Sequence, residues 1–256
     1  MTTRLHVVGC RRSGTTLMME LLWYSYVFSG RHQHEISVFE PVPEGQTLYL
    51  TKKPPDTLRI QRVLEADSRL HVIAMLRDPR AVITSTHESK PDVYYAGYKR
   101  WREYVDAIDR LRPHPRFLVI RYEDLVSQPD EVQADVNRRF PFLEQQRSFA
   151  QYPAGADVPA TAAQSLNGVR PFDPSRIDGW REHLPRVNGQ LQAHPSMPAD
   201  LIRAGYETGE KWTSILEGVG FYSQDYKDAG PGFFRRLETD FRFWLKTRRY
   251  LHALDD

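Results

Sequence analysis

The segment Gly9-Cys10-Arg11-Arg12-Ser13-Gly14-Thr15-Thr16 constrains this 256-residue chain more than any other. It follows the apolar run Leu5-His6-Val7-Val8 and precedes Leu17-Met18-Met19-Glu20-Leu21-Leu22. That order predicts a strand, a tight glycine turn and the start of a helix. Backbone N–H groups at such a turn, with the positive end of a helix dipole behind them, form an anion site. The hydroxyls of Ser13, Thr15 and Thr16 and the guanidinium of Arg12 add donors. A nucleotide P-loop reads G-x-x-x-x-G-K-[ST]. Here the glycine spacing holds, but Thr15 stands at the lysine position and the cation is Arg12. This weakens the case for an ATPase or kinase. It favours a loop that cradles a 5′-phosphate and sets a cation beside a group being transferred.

A second apolar run, Leu70-His71-Val72-Ile73-Ala74-Met75-Leu76, predicts a buried strand. Arg77 follows it, then Asp78 as an N-cap and Pro79 in the first turn of a helix. The helix is expected over Asp78–His87, with Ser85 inside it. A third run, Phe117-Leu118-Val119-Ile120, leads into Arg121-Tyr122-Glu123-Asp124-Leu125.

These three segments, in this order, resemble the sulfotransferases that use 3′-phosphoadenosine 5′-phosphosulfate (PAPS). The first loop is similar to their phosphosulfate loop, P-[KR]-[ST]-G-T-[TS], with Arg11 in place of the proline. The resemblance implies donor contacts from Arg11, Arg12, Ser13, Gly14, Thr15 and Thr16. It implies that Arg77 and Ser85, eight residues apart, bind the 3′-phosphate. Arginine suits that task because its planar fork matches phosphate in two bonds. The Arg121–Leu125 stretch resembles a family segment that serves the fold as readily as a ligand. The three segments span about half the chain.

Composition is compatible with such an enzyme and excludes others. A content of 40% hydrophobic residues supports one good core. With 35 basic and 33 acidic residues the net charge is +2, no basis for a general nucleic-acid binder. One cysteine, Cys10, excludes a disulfide framework and a cysteine-based zinc site. His32 and His34 lack a clear third ligand, and the loop cations replace the magnesium of nucleotide enzymes, so no metal is expected. No apolar leader or long apolar span is evident, which points to a cytoplasmic protein.

Strands at Arg4–Gly9, Leu48–Lys52, Leu70–Leu76 and Phe117–Arg121 alternate with helices at Thr57–Glu65, Asp78–His87 and Tyr94–Leu111. The expected fold is α/β: a P-loop-like three-layer fold, with a central, mainly parallel sheet and helices on both faces. Ligands in such folds bind beyond the C-terminal strand ends, where both proposed phosphate motifs lie. The chain is expected to form one sulfotransferase-like domain over residues 1–256. Residues 152–174, rich in Pro, Ala, Gly and Ser, read as a loop or lid. A basic, aromatic helix is expected near 231–252. It either packs its apolar face on the domain or makes peripheral contact with an anionic membrane.

The transfer needs a base for the acceptor and a cation for the bridging oxygen. Arg12 suits the second task as an electrostatic stabiliser, since arginine does not readily release its proton. His32, His34, Glu35 and Glu40 are the candidate bases. Glycan sulfotransferases carry a glutamate at the head of an E-x-x-x-F stretch, and Glu35-Ile36-Ser37-Val38-Phe39 has that form, so Glu35 is preferred, then Glu40, then His34. Leu50-Thr51-Lys52-Lys53-Pro54-Pro55 resembles the E-K-T-P stretch of the same families. It implies that Lys52 assists the transferring group, with Lys53 as the competing choice. Ser175-Arg176-Ile177-Asp178-Gly179-Trp180 resembles a late donor-binding stretch and implies a role for Arg176. The expected reaction carries a sulfuryl group from PAPS to a hydroxyl of a glycan or glycolipid, releasing 3′-phosphoadenosine 5′-phosphate (PAP). The alternatives are a catalytically silent nucleotide-binding or regulatory protein on the same scaffold, and a P-loop kinase with Asp78 as the nearest magnesium ligand.

Overall fold

A computed structural model describes residues 2–87, 90–152, 172–222 and 233–255. The elements begin with strand β1 (Thr3–Gly9), helix α1 (Thr15–Ser25), strand β2 (Gly30–Arg31) and strand β3 (Leu48–Lys52). A 3-10 helix (Pro54–Leu58), helix α2 (Gln61–Ala66), strand β4 (Leu70–Leu76) and helix α3 (Pro79–Ile83) follow. Strands β5 (Thr86–His87) and β6 (Lys90–Tyr94) form a hairpin before helix α4 (Tyr98–Leu111). Strand β7 (Phe117–Arg121) leads into α5 (Tyr122–Ser127) and α6 (Pro129–Arg139). The late elements are a 3-10 helix (Pro174–His183), α7 (Leu184–Ala193), α8 (Met197–Arg203), another 3-10 helix (Glu210–Leu216) and α9 (Phe233–Asp255).

The described chain falls into two compact units. The first holds residues up to Leu76, Tyr104–Phe172 and the C-terminal stretch from Pro231. Its sheet has the order β2-β3-β1-β4-β7, and every pairing in it is parallel. The fold is therefore α/β with a central parallel sheet. Strand alternation sends side chains to two separate cores. Leu5, Val7, Ile73 and Met75 pack with Met18, Leu21 and Leu22 of α1 and with Val132 and Val136 of α6. Val8, Val72 and Ala74 pack with Val63 and Leu64 of α2 and with Ile108 and Leu111 of α4. Helices thus cover both faces of the sheet, giving three layers.

Helix α9 adds to the second face. The Phe243 and Tyr250 rings lie 5.6 and 6.3 Å from Phe39, and the Tyr250 hydroxyl donates to Asp67 at 2.6 Å. Lys246 pairs with Glu40 at 2.9 Å, and Arg59 with Asp240 at 2.7 Å. Phe241, Trp244 and Leu245 remain exposed.

The second unit holds Arg77–Glu103 and Asp173–Gly230. Its organising residue is Arg80. The guanidinium pairs with Asp78 at 2.6 Å and with Glu207 at 2.5 Å, and lies over the Trp180 and Trp212 rings at 4.3 and 4.9 Å. Asp78 also caps α3, accepting from the Arg80 N–H at 2.7 Å.

Three helix expectations change. The helix expected at Thr57–Glu65 is a 3-10 turn and then α2 from Gln61, because Pro54 and Pro55 remove two N–H donors from the first turn. The helix expected to run to His87 stops at Ile83. The Thr84 hydroxyl bonds back to the Arg80 carbonyl at 2.7 Å, and the β-branched Thr84 and Thr86 favour the extended chain. Ser85 therefore lies after the helix and not inside it. Helix α4 starts at Tyr98, not Tyr94, because Val93-Tyr94-Tyr95 has strand propensity and Gly97 interrupts it. Most of the 152–174 stretch lies outside the described residues.

Beneath the sheet's C-terminal edge runs a buried polar network. Arg4 donates to Thr51 Oγ1 at 3.0 Å and to the carbonyls of Ser37, Val38 and Glu40 at 3.2, 2.7 and 2.9 Å. His6 Nδ1 lies 2.7 Å from Thr51 Oγ1, and its Nε2 lies 3.3 Å from Asp56. Asp56 accepts from the Val38 N–H at 2.6 Å. The network pins the segment after Glu35 to β1 and β3.

Burial holds the His6 imidazole below its ordinary pKa of 6.5, although the Asp56 contact opposes this. The unfolded chain thus takes up the proton first as pH falls. Stability is present above the unfolded value and lost as pH drops below it. Denaturant melts at pH 7.5, 6.5 and 5.5 should show falling midpoints for the wild type, with a shallower fall in His6→Gln. Equal slopes in the two proteins would contradict a neutral His6.

Candidate active site

The turn between β1 and α1 is built on two glycines and one strained residue. Gly9 has φ 137°, and a Cβ there would lie 2.4 Å from the Met75 carbonyl oxygen on β4. Gly14 has φ 89°, and a Cβ there would lie 2.6 Å from the Tyr122 ring. Arg12 takes φ 69° between them, the left-handed region that non-glycine residues seldom occupy. The chain can therefore turn tightly off the strand and enter α1 at Thr15. The N–H groups of the helix's first turn have no carbonyl partner within the helix, so they face outward as donors.

The loop is braced from behind. The Gly9 N–H donates to Thr57 Oγ1 at 2.8 Å, and the Thr57 hydroxyl donates to the Pro54 carbonyl at 2.7 Å. Ser13 is fully buried, and its hydroxyl donates to the Cys10 carbonyl at 2.5 Å. That hydroxyl closes the loop, so its proton is directed inward, unlike the ligand donor anticipated from its position. Thr15 is buried at the helix start.

Three sequence-predicted residues meet at this helix terminus. Lys52, the last residue of β3, donates from Nζ to Thr16 Oγ1 at 2.8 Å. Glu35 Oε1 lies 3.8 Å from the same Nζ. The loop bearing Glu35 is drawn in because the Ile36 N–H donates to the Lys52 carbonyl at 3.1 Å. Burial lowers the Lys52 pKa, and the charges of Glu35 and Glu20 oppose this. The rival bases are placed differently. Glu40 is held by Lys246 of α9, and His34 is exposed, with its ring 6.5 Å from that of His32.

Sequence reasoning passed over Glu20 and Arg31. Glu20 is buried on α1, one turn after Thr16, and Arg31 Nη1 lies 2.8 Å from its Oε2. A lone carboxylate inside Leu17-Met18-Met19-Glu20-Leu21-Leu22 was the available signal, because an unpaired charge is rarely buried.

The proposed 3′-phosphate residues belong to the second unit. Arg77 directly follows β4, and its carbonyl accepts from Trp101 Nε1 at 2.9 Å. The Ser85 carbonyl accepts from the Tyr95 N–H at 2.9 Å, so the hairpin fixes its backbone. Asp78, the nearest magnesium ligand of the kinase alternative, is bound to Arg80. Arg176 lies on the Pro174–His183 helix, but its side chain falls outside the described residues. Trp180, on the same helix, is buried against Arg80. Among the described residues, no three His, Cys, Asp or Glu side chains gather as a metal site, and no helix is long and apolar enough to cross a membrane.

Residues 24–140 match the family model described as "Sulfotransferase family". The matched stretch begins after the glycine loop. Among solved structures, the chain is similar to mouse sulfotransferase SULT7A1 complexed with PAP, at 12% identity over 87% of this chain and 90% of that one, with a TM-score of 0.50. It is also similar to the sulfotransferase domain of the Synechococcus PCC 7002 olefin synthase, at 17% identity over 70% of this chain and 88% of that one, with a TM-score of 0.49. A comparison with curated proteins finds no match. The family match covers a little under half of the chain, and the likeness to SULT7A1 is one of fold.

The brace behind the loop can be tested alone. Thr57→Val keeps the side-chain shape but leaves the buried Gly9 N–H without its acceptor. It should cost ~1–3 kcal/mol of unfolding free energy in urea. A loss below ~0.5 kcal/mol would contradict the assigned role.

Proposed function

We propose that this chain is a sulfotransferase, which takes its sulfuryl group from PAPS and delivers it to a hydroxyl of a glycan or glycolipid. One observation carries the reading: Thr16, Lys52 and Glu35 converge at the N-terminus of α1. A loop hydroxyl, a cation and a carboxylate there supply the three things an in-line sulfuryl transfer needs.

The first-turn N–H groups of α1, with Arg11, Arg12, Gly14, Thr15 and Thr16, hold the 5′-phosphosulfate end. Ser13 contributes by shaping the loop. Arg77 and Ser85 take the 3′-phosphate, with Arg176 adding charge. Glu35 accepts the proton of the acceptor hydroxyl as its oxygen bonds to sulfur. The bond from sulfur to the bridging oxygen breaks, and PAP departs with that electron pair. Arg12 and Lys52 stabilise the charge that collects on the bridging oxygen. Their positive charges make a divalent cation unnecessary to the step.

Glu35 is favoured over Glu40 because Glu40 is committed to Lys246. The glycan class rests on the E-x-x-x-F form of Glu35–Phe39 and the likeness of the Lys52 stretch to E-K-T-P. Resemblance of a neighbour crystallised with PAP supports the choice of donor.

The test is PAP release from PAPS across a panel of glycan and glycolipid acceptors. Glu35→Gln should lower kcat by ~10²–10⁴-fold while leaving PAP affinity within about twofold. Full activity in Glu35→Gln, with loss in Glu40→Gln, would move the base to Glu40. Absence of turnover on every acceptor, with PAP still bound, would favour the silent nucleotide-binding protein.

A further inference from the structure

The Glu20–Arg31 pair stands outside the roles assigned above. Both side chains are largely buried, at 7% and 9% relative exposure. Burying two charges is costly unless their geometry is good, and such a pair is often no more stabilising than apolar residues of the same size. Its position suggests a use other than stability. Glu20 follows Thr16 by four residues, so α1 presents both on one face. Thr16 holds the Lys52 ammonium by its hydroxyl. Arg31 sits on β2, which pairs with β3, the strand that ends in Lys52.

We propose that Glu20 is a positioning residue: from the helix side, one turn behind Thr16, its carboxylate helps aim the Lys52 ammonium at the loop, and Arg31 is the counter-ion that fixes Glu20 in place and shares its charge. This rests on the role given to Lys52 in sulfuryl transfer. Lys52 is then held from two directions, by Glu35 on the loop and by Glu20 on the helix. Burial alone would drive the ammonium toward its neutral form, which could not stabilise a departing oxygen. Two carboxylates offset that tendency. Arg31 in turn shares the charge of Glu20, so the helix carboxylate supports Lys52 without competing with Glu35 for it. Tyr152 is buried within reach of both charges and is the other titratable group of this wall.

The experiment reads Lys52 directly, with no donor or acceptor present. Trace acetic anhydride is added across a pH series, and acetylation of Lys52 is measured by peptide mass spectrometry, with Lys53 as the internal reference. In Glu20→Gln the reactivity midpoint of Lys52 should fall by about one pH unit, with Lys53 unmoved. In Arg31→Met the midpoint should rise, because Glu20 no longer shares its charge. Opposite shifts are the signature of positioning through charge; a tether between β2 and α1 would change melting temperature and leave both midpoints in place. An unchanged Lys52 midpoint in either folded variant overturns the proposal. Should Glu20→Gln fail to fold, Arg31→Met alone decides it by the same criterion. Neither result depends on PAPS, so failure here is separable from failure of the sulfuryl-transfer assay.

Discussion

The close approach of Gly9 to β4 is the contact on which the site depends. No side chain fits there, since a Cβ would fall 2.4 Å from the Met75 carbonyl oxygen. With glycine present, β1 can end flush against its neighbour and the chain can reverse at once into α1. The left-handed Arg12 and Gly14 complete the reversal, and Tyr122 closes the space behind Gly14. A helix N-terminus is thereby delivered to the C-terminal edge of a parallel sheet, where such folds bind ligands. The Thr57 bond to the Gly9 N–H keeps that edge from relaxing.

Around the loop, the chemistry is arranged by charge partition. Arg4, His6, Thr51 and Asp56 form a buried layer under β1 and β3 and hold the Ser37–Glu40 backbone. That layer fixes the far end of the segment that begins at Glu35. Lys52, at the end of β3, then meets Glu35 on one side and Thr16 on the other. Glu40 is diverted to Lys246, which leaves one carboxylate of the Glu35–Glu40 segment at the cation. The fold thus separates two acidic residues only five positions apart, one beside Lys52 and one tethering a helix.

Much of this was legible in the sequence because it depends on local patterns. The strands Leu48–Lys52, Leu70–Leu76 and Phe117–Arg121 were read with their bounds, since short apolar runs bounded by polar residues admit few alternatives. The glycine loop was legible for the same reason. Ser85 was misplaced because the end of α3 is decided by a side-chain-to-backbone bond from Thr84, which periodicity does not register. The Lys90–Tyr94 strand was missed because Tyr94 also continues the apolar stripe of α4. Glu20 and Arg31 were missed for a different reason: their pairing joins a helix to an edge strand of two residues, and only the tertiary fold brings them together. The Lys52 or Lys53 ambiguity was likewise a matter of which side chain points toward α1.

The most direct measurement of the account is calorimetric titration with PAP, using 5′-AMP and ATP as comparison ligands, on the wild type and on Arg77→Ala. The account predicts that PAP binds most tightly, that removal of the 3′-phosphate weakens binding at least tenfold, and that Arg77→Ala brings PAP down to the level of 5′-AMP. Preference for ATP, or equal affinity for PAP and 5′-AMP, would contradict it and leave the loop as an anion site of some other nucleotide chemistry.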